Sequence, residues 1–180
     1  MFVKYRPVVK VFNSGCGDPQ ALSLIETSNI PARTKLCRIM SRHRSDKSDY
    51  HNYTTVYYHL FARFVPSPIR ILELGLGTNN PEHHSSMGIF GTAGASLRGW
   101  REFFPKALVF GADIDRITLI QEERIRTLYC NQLSPDAIRN LWSHAELGGG
   151  CHIIEDGLHT FEANTCFLDE SLQHLLPGGF

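Results

Sequence analysis

The sequence predicts an α/β fold: a doubly wound parallel sheet that follows a helical section. Three short apolar runs, at residues 70–75, 107–113 and 151–156, have the form of buried parallel strands. Helical patterns separate them, and strands that alternate with helices form parallel sheets covered on both faces. The chain has 180 residues, 42% of them hydrophobic and 20% charged, which is typical of one folded domain.

Residues 1–65 are expected to form the helical section, because proline, polar breaks and amphipathic runs follow one another there. An Asp-Pro pair at 18–19 is typical of an N-cap followed by proline at the first helical position. A later helix carries four tyrosine and phenylalanine residues and ends before Pro66. The predicted helices span residues 18–27, 32–41 and 54–64.

Residues 66–180 are expected to form the sheet and the helices that cover it. A weaker fourth strand is predicted at Thr127–Cys130, and Ser134 is the expected N-cap of one helix. The last helix would place four apolar side chains on one face: Phe161, Leu168, Leu172 and Leu175. The predicted helices span residues 95–104, 116–126, 135–142 and 160–176.

The final residues, Leu-Leu-Pro-Gly-Gly-Phe, have the pattern of a helix end, a turn and the first residue of a further strand. We therefore expect a sheet truncated before its fifth strand. The run at 151–156 would then be an edge, with Ile153 and Ile154 unpaired on one side.

Charge and cysteine content restrict the compartment and the partners. The formal net charge is zero, yet residues 1–70 carry eleven basic and four acidic side chains. The basic residues between 33 and 44 flank an amphipathic helix, so they predict a solvated face and a nucleic-acid partner is not expected. Five cysteines without a Cys-x-x-Cys spacing, and no apolar segment of signal or membrane length, favour a reduced cytoplasmic protein away from membranes.

A glycine turn follows the first strand and marks the expected ligand site. In doubly wound sheets ligands bind at the carboxyl ends of the strands, and Gly75 and Gly77 would let a ligand approach the backbone there. A dinucleotide fingerprint needs a third glycine where this chain has Asn80, which weakens an NAD site without eliminating it. Asp113, after the second strand, could hold a ribose or cap a helix, and the capping role is expected of Asp115.

Four motifs occur in a fixed order: Glu73-Leu-Gly-Leu-Gly77, residues 94–105, Gly111-Ala-Asp-Ile-Asp115 and Glu155-Asp-Gly-Leu-His159. Together they resemble class I S-adenosylmethionine-dependent methyltransferases, which have a Rossmann-like fold. Within that class the chain is most similar to the metal-dependent sugar O-methyltransferases of the macrocin and mycinamicin type. The segment from Ser45 to Thr54 also resembles one that this group carries before its first strand.

The resemblance implies a set of cofactor-binding residues. It places Glu73, Gly75, Gly77 and Ser96 along the methionine part of S-adenosylmethionine, where a helix N-terminus also suits a carboxylate. It places Asp113 on the ribose and the pair Asn131 and Gln132 near the adenine. Asn131 departs from the aspartate of the family, and an ordinary polar loop remains the alternative for this pair.

The resemblance also implies a base and a metal ligand. A sugar hydroxyl is too weak an acid to ionise unaided, and His159 matches the family's general base. Asp156 matches a ligand of Mg²⁺ or a similar divalent ion, whose other acidic ligands in the family follow the fifth strand. Glu155 is expected either to support the metal ligand from outside its coordination sphere or to be structural.

The expected function is transfer of a methyl group to a small-molecule hydroxylated acceptor, such as a sugar or another polyhydroxylated natural product. The helical section would then be the acceptor side or a lid, and a homo-oligomer is allowed. Two alternatives stay open. One is an inactive or partner-dependent fragment that keeps cofactor affinity, and the other is a cephalosporin-hydroxylase-like protein of the same fold.

Overall fold

A computed structural model describes residues 33–49, 51–83, 86–88 and 91–180. The helix predicted over residues 18–27 lies outside the described residues, as does Ala32, where the next helix was expected to begin. The division of the chain at residue 65 stays a prediction.

The described residues contain a five-stranded sheet in the order β3-β4-β2-β1-β5. Strands β1, β2, β4 and β5 are parallel to their neighbours, and only the short β3 runs antiparallel, against β4. The predicted parallel α/β sheet is therefore confirmed. The strands are β1 Arg70–Leu74, β2 Leu108–Asp113, β3 Gln121–Glu122, β4 Ile125–Tyr129 and β5 His152–Glu155.

Six α-helices accompany the sheet in the described part of the chain. Thr34, Ser134 and Thr160 cap three of them by accepting the N–H of the residue three positions later. None of the described helices combines the length and apolar character needed to cross a membrane. The helices are α1 Lys35–Arg42, α2 Asp46–Asp49, α3 Tyr53–Phe61, α4 Ala95–Phe103, α5 Pro135–Trp142 and α6 Phe161–Ser171.

Two hydrophobic clusters fix the helices to opposite faces of the sheet. Alternate residues of a strand point to opposite faces, so Ile71 joins one cluster and Leu72 the other. The first cluster holds α1, α3 and α4, with Trp100 at its centre, and the second holds α5 and α6. The sheet is therefore covered on both sides.

The helix predicted over residues 116–126 is wrong. Only a single 3-10 turn forms, at Arg116–Thr118, and the chain then makes the β3–β4 hairpin. Arg98 of α4 binds Glu122 at 2.7 Å, and Arg124 has a left-handed backbone with φ of 58°. Tertiary contacts therefore override the local helical pattern at this point.

The apolar face predicted on the last helix is not the face that the helix buries. Phe161, Leu168 and Leu172 are 80%, 48% and 53% exposed, whereas Ala163 and Phe167 are buried. The helix ends earlier than predicted, at Ser171, and a 3-10 turn follows. The packing contact of α6 with α5 and the sheet selects the opposite face.

Strand β5 is an edge of the described sheet, as expected. Its outer side is not wholly unpaired, however, because the N–H of Ile153 donates to the carbonyl of Phe180 at 2.7 Å. Ile154 is only 4% exposed, so its side chain is covered by the core. The residues after α6 thus partly satisfy this edge.

The turns after β1 and β5 are packed directly against each other. Gly75 has a φ of +87°, in the region that favours glycine. A Cβ atom there would overlap the carbonyl oxygen of Asp156 and would lie 2.8 Å from the Cα of Gly157. Only glycine therefore allows the two turns this approach.

The substitution Gly75→Ala should lower the free energy of unfolding by about 2 kcal/mol or more, since backbone strain adds to the overlap. Gly178→Ala is the matched control, because Gly178 has a φ of +69° with no atom within 4 Å of its Cβ position. It should show only the strain, about 1 kcal/mol. Urea unfolding of both variants measures the difference, and equal losses would contradict the packing of the two turns.

A buried histidine on β5 predicts a pH dependence of stability. His152 is 1% exposed and packs against the rings of Phe61 and Phe64, with ring centroids 5.6 and 4.3 Å away. Burial, together with the positive charge of Arg63, lowers the pKa of His152 to about 4. The unfolded chain, with a histidine pKa near 6.5, therefore binds a proton that the folded chain does not.

Stability is consequently complete above about pH 6.5 and falls as the pH drops toward 4, by up to roughly 3 kcal/mol from this group. Thermal unfolding measured from pH 7 to pH 4.5 should show this slope, and His152→Leu should flatten it. His43→Leu, on the surface near Glu102, serves as the control. An unchanged slope in His152→Leu would show that other groups cause the acid sensitivity.

Candidate functional site

A cavity of about 210 Å³ opens at the carboxyl ends of the parallel strands. Its wall is formed by the residues that follow β1, β2, β4 and β5, which is where ligands bind in doubly wound sheets. Four of the predicted cofactor residues line it: Gly75, Asp113, Asn131 and Gln132. The remaining lining residues are Leu74, Glu82, His83, Ile114, Cys130, Leu133, Gly157 and Leu158.

Asp113 is held rigidly in this wall. Its carboxylate accepts the N–H of Leu76 at 2.7 Å and that of Asp115 at 2.8 Å. Each carboxylate oxygen has a lone pair left for a further donor. The capping role predicted for Asp115 is confirmed, because its side chain accepts the N–H of Ile117 at 3.0 Å.

Gln132 ties the end of β4 to the turn after β5. Its amide donates to Glu155 at 2.8 Å and accepts the N–H of Leu158 at 2.8 Å. Glu155 in turn accepts the N–H of Gly157 at 2.9 Å, which makes it structural in this turn. Asn131 accepts the N–H of Leu133 at 3.0 Å. Both side-chain amides therefore hold the cavity wall in place. Each uses only some of its hydrogen-bonding groups to do so.

Gly77 lies beside the loop rather than in the cavity wall. A Cβ atom at Gly77 would overlap the thioether of Met87, whose N–H donates to the carbonyl of Thr78 at 2.8 Å. Glycine here lets the loop between β1 and α4 fold back onto the strand end. His84, in this loop, lies outside the described residues.

Glu73 and Ser96 are buried together, away from the lining of the cavity. The Glu73 carboxylate is 1% exposed, accepts a bond from the Ser96 hydroxyl and accepts the indole N–H of Trp100 at 2.6 Å. Burial raises the pKa of Glu73, and the charge of Lys47 opposes that rise. Their placement beside the methionine part of a cofactor stays a prediction, and the contacts present serve to anchor β1 to α4.

Lys47 is a site residue that the sequence reasoning did not single out. It is 3% exposed, and its Nζ lies 3.3 Å from Glu73 and in contact with Asp156. Burial opposes its charge, but the two carboxylates raise its pKa above the ordinary lysine value, so it is protonated. The only sequence signal was its place in the segment from Ser45 to Thr54, which resembles the family without indicating a role.

Asp156 and His159 stand at the turn after β5. The Asp156 side chain is 20% exposed, and its Oδ1 lies 3.5 Å from Nε2 of His159. His159 is 59% exposed at its side chain and has a left-handed φ of 59°. Left-handed backbone is uncommon outside glycine and is found at sites where the surrounding structure enforces it. The imidazole of His159 is thus accessible from solvent.

Asp156 is the one described carboxylate that the motif assigns to a divalent ion. Within them, no three histidine, cysteine or acidic side chains are grouped so that they could hold a metal. Mg²⁺ requires about six oxygen ligands, several of which can be water. Asp156 has Lys47 on one oxygen and His159 near the other. These donors alone do not form a metal site.

Comparison with curated proteins finds antibiotic-pathway methyltransferases. The chain is 36% identical, over 69% of its length, to the 8-demethyl-8-(2-methoxy-alpha-L-rhamnosyl)-tetracenomycin-C 3'-O-methyltransferase of Streptomyces olivaceus. It is 29% identical, over 89% of its length, to the demethylmacrocin O-methyltransferase of Streptomyces fradiae. It spans 30% and 38% of these two relatives, about a third of their length. No family model matches the chain.

Solved structures give the same result. The MycE methyltransferase of the mycinamycin pathway, in complex with Mg and SAH, matches 82% of this chain with a TM-score of 0.67 and 27% identity. Another MycE structure, which also contains mycinamycin VI, matches 90% of this chain with a TM-score of 0.67 and 25% identity. The matches cover 38% and 44% of those chains. By sequence and by fold, the chain is homologous to sugar O-methyltransferases of the macrocin and mycinamicin type, and its sheet matches the Rossmann-like fold of the MycE methyltransferase.

Proposed function

We propose that the protein is an S-adenosylmethionine-dependent O-methyltransferase that methylates a hydroxyl of a sugar or another polyhydroxylated natural product. The observation that carries the proposal is the cavity at the carboxyl ends of four parallel strands, with Asp113 held in its wall. Homology supports the chemistry, because the curated relatives are named as O-methyltransferases. The MycE structures contain SAH and Mg.

In this proposal the cofactor lies across the ends of β1, β2 and β4. Asp113 accepts the ribose hydroxyls on lone pairs that the backbone bonds leave free. Asn131 and Gln132 lie beside the adenine, and Gly75 lets the methionine part approach the backbone. Gly77 shapes that end of the site by accommodating the loop of Met87.

His159 takes the proton of the acceptor hydroxyl. A neutral imidazole nitrogen accepts the proton as the oxygen attacks the sulfonium methyl group, so that S-adenosylhomocysteine leaves as a neutral thioether. The exposure of His159 supports this role, because an acceptor can reach it from solvent. Asp156 lies close enough to stabilise the imidazolium that forms.

A divalent ion is part of the proposal through Asp156, which would supply one of its oxygen ligands. Bound Mg²⁺ would hold acceptor hydroxyls and lower their pKa. The acceptor class follows from the relatives, whose names describe rhamnosyl-tetracenomycin and macrocin substrates, and from the MycE complex with mycinamycin VI. We propose a glycosylated polyketide as the acceptor class.

We also propose a reduced cytoplasmic setting, with no nucleic-acid partner and with a homo-oligomer allowed. The four described cysteines are free thiols, and Cys37, Cys130 and Cys151 are buried. Burial raises the pKa of Cys130 and Cys151 to about 12, which keeps both thiols protonated and unreactive. These thiols support a compartment in which disulfides do not form.

Isothermal calorimetry should detect binding of both S-adenosylmethionine and S-adenosylhomocysteine to the wild-type protein. Asp113→Ala should weaken binding about tenfold or more, since it removes the ribose acceptor. Asp136→Ala, whose side chain is 88% exposed on α5, is the control and should bind as the wild type. Thermal unfolding checks that Asp113→Ala is folded at the assay temperature. Failure of the wild type to bind either compound would refute the proposed function.

Replacing His159 should slow turnover without changing the affinity for the cofactor. His159→Asn should lower kcat by about 10²–10⁴-fold, because the general base is lost. Asparagine tolerates the left-handed backbone at this position, so the turn should survive. Transfer of a labelled methyl group to a glycosylated macrolide gives the rate, and calorimetry should give an unchanged S-adenosylhomocysteine affinity. His43→Asn is the control. A kcat of His159→Asn equal to that of His43→Asn would exclude His159 as the base.

A further inference from the structure

We propose that Lys47 is a positioning residue whose buried ammonium holds the Asp156 carboxylate and thereby orders the turn that carries His159. The catalytic meaning of that turn rests on the proposed function. The positional effect of Lys47 on the turn does not.

The buried carboxylate of Glu73 holds the ammonium of Lys47 in place. Glu73 lies within β1 and is bound by the Ser96 hydroxyl and by the Trp100 indole, both on α4. Lys47 approaches this carboxylate to 3.3 Å while its side chain is only 4% exposed. The long, normally mobile side chain of Lys47 is therefore held in one place. The contact with Glu73 also sets the direction of the other N–H groups of its ammonium.

From this place Lys47 binds the Oδ2 of Asp156. That contact leaves Oδ1 on the side of His159, 3.5 Å from Nε2. The carboxylate orientation thus determines which oxygen faces the base. Because Asp156 precedes Gly157 and the left-handed His159, fixing its side chain also restricts the start of the turn.

Charge neutralisation alone does not account for this arrangement. Glu73 would be enough to balance the charge of Lys47, yet a second carboxylate from a different strand end binds the same ammonium. Of the two carboxylates, Glu73 is the buried one, with a side chain 1% exposed, and Asp156, 20% exposed, is the one at the surface of the site.

Lys47 also connects two parts of the chain. It comes from the short helix α2, which precedes the sheet, whereas Asp156 follows β5, 109 residues later. Lys47 therefore links helix α2 directly to the turn that carries the proposed base.

A pair of variants isolates this effect. Lys47→Met alone would leave two carboxylates without their cation and would destabilise the fold. In Lys47→Met/Glu73→Gln the buried anchor is neutral, so the fold should recover while Asp156 lacks its partner. Glu73→Gln alone keeps Lys47 and its contact with Asp156. The last two proteins differ only in Lys47. Lys106→Met, at an exposed position, is the control for loss of a lysine.

Hydrogen exchange by mass spectrometry reads out the turn directly. The N–H groups of Gly157 and Leu158 are hydrogen-bonded, to Glu155 at 2.9 Å and Gln132 at 2.8 Å, so their exchange reports opening of the turn. Residues 156–160 should exchange about tenfold faster in the double variant than in Glu73→Gln, with exchange in β2 and the Tm the same in both. In the methyl-transfer assay kcat should fall, whereas the affinity for S-adenosylhomocysteine should not.

Equal exchange of residues 156–160 in the two proteins, or faster exchange spread over the whole sheet, would overturn the positioning role. Should the double variant not fold, Asp156→Ala removes the same contact from the other side and must also loosen the turn, or the role is refuted. If the wild type binds neither S-adenosylmethionine nor S-adenosylhomocysteine, the proposed function fails, and the exchange comparison still decides the role of Lys47.

Discussion

The buried carboxylate of Glu73 constrains the whole region around the candidate site. Two groups of α4 bind it, the ammonium of Lys47 compensates its charge, and it lies in β1, the strand between β2 and β5. Taking a carboxylate out of water costs several kcal/mol, and such a group persists only where donors and an opposite charge surround it. The sheet, α4 and α2 are therefore locked in one arrangement, because removing any partner would leave the charge unsatisfied.

The parallel sheet brings distant residues to one edge. Because β1, β2, β4 and β5 run in the same direction, the residues that follow each strand meet at their carboxyl ends. The tight contact between Gly75 and Asp156 closes this edge on one side, and Asp113 stands on the other. The cavity and the turn of His159 are thus neighbours, as cofactor and acceptor must be for methyl transfer.

Four of the five described strands and most described helices could be predicted from local patterns, because apolar runs ending in glycine or acid, and a cap such as Ser134, act over a few residues. The segment after Asp115 could not, since Arg98 and Arg101 from a different helix hold Glu122 in a hairpin. The inner face of α6 depends on its neighbours in the same way. At the site, motif positions indicated Asp113, which lines the cavity, and His159, whose role stays a prediction. Lys47 could not be found from spacing, because its two partners lie far along the chain.

A crystal structure of the wild-type protein with S-adenosylhomocysteine tests the central claim most directly. We expect the ribose hydroxyls within hydrogen-bond distance of the Asp113 carboxylate, the adenine beside Asn131 and Gln132, and the sulfur on the side of Gly75 and the turn of His159. A compound bound elsewhere on the molecule, with the cavity at the ends of β1 and β2 filled by protein side chains or water, would contradict the account.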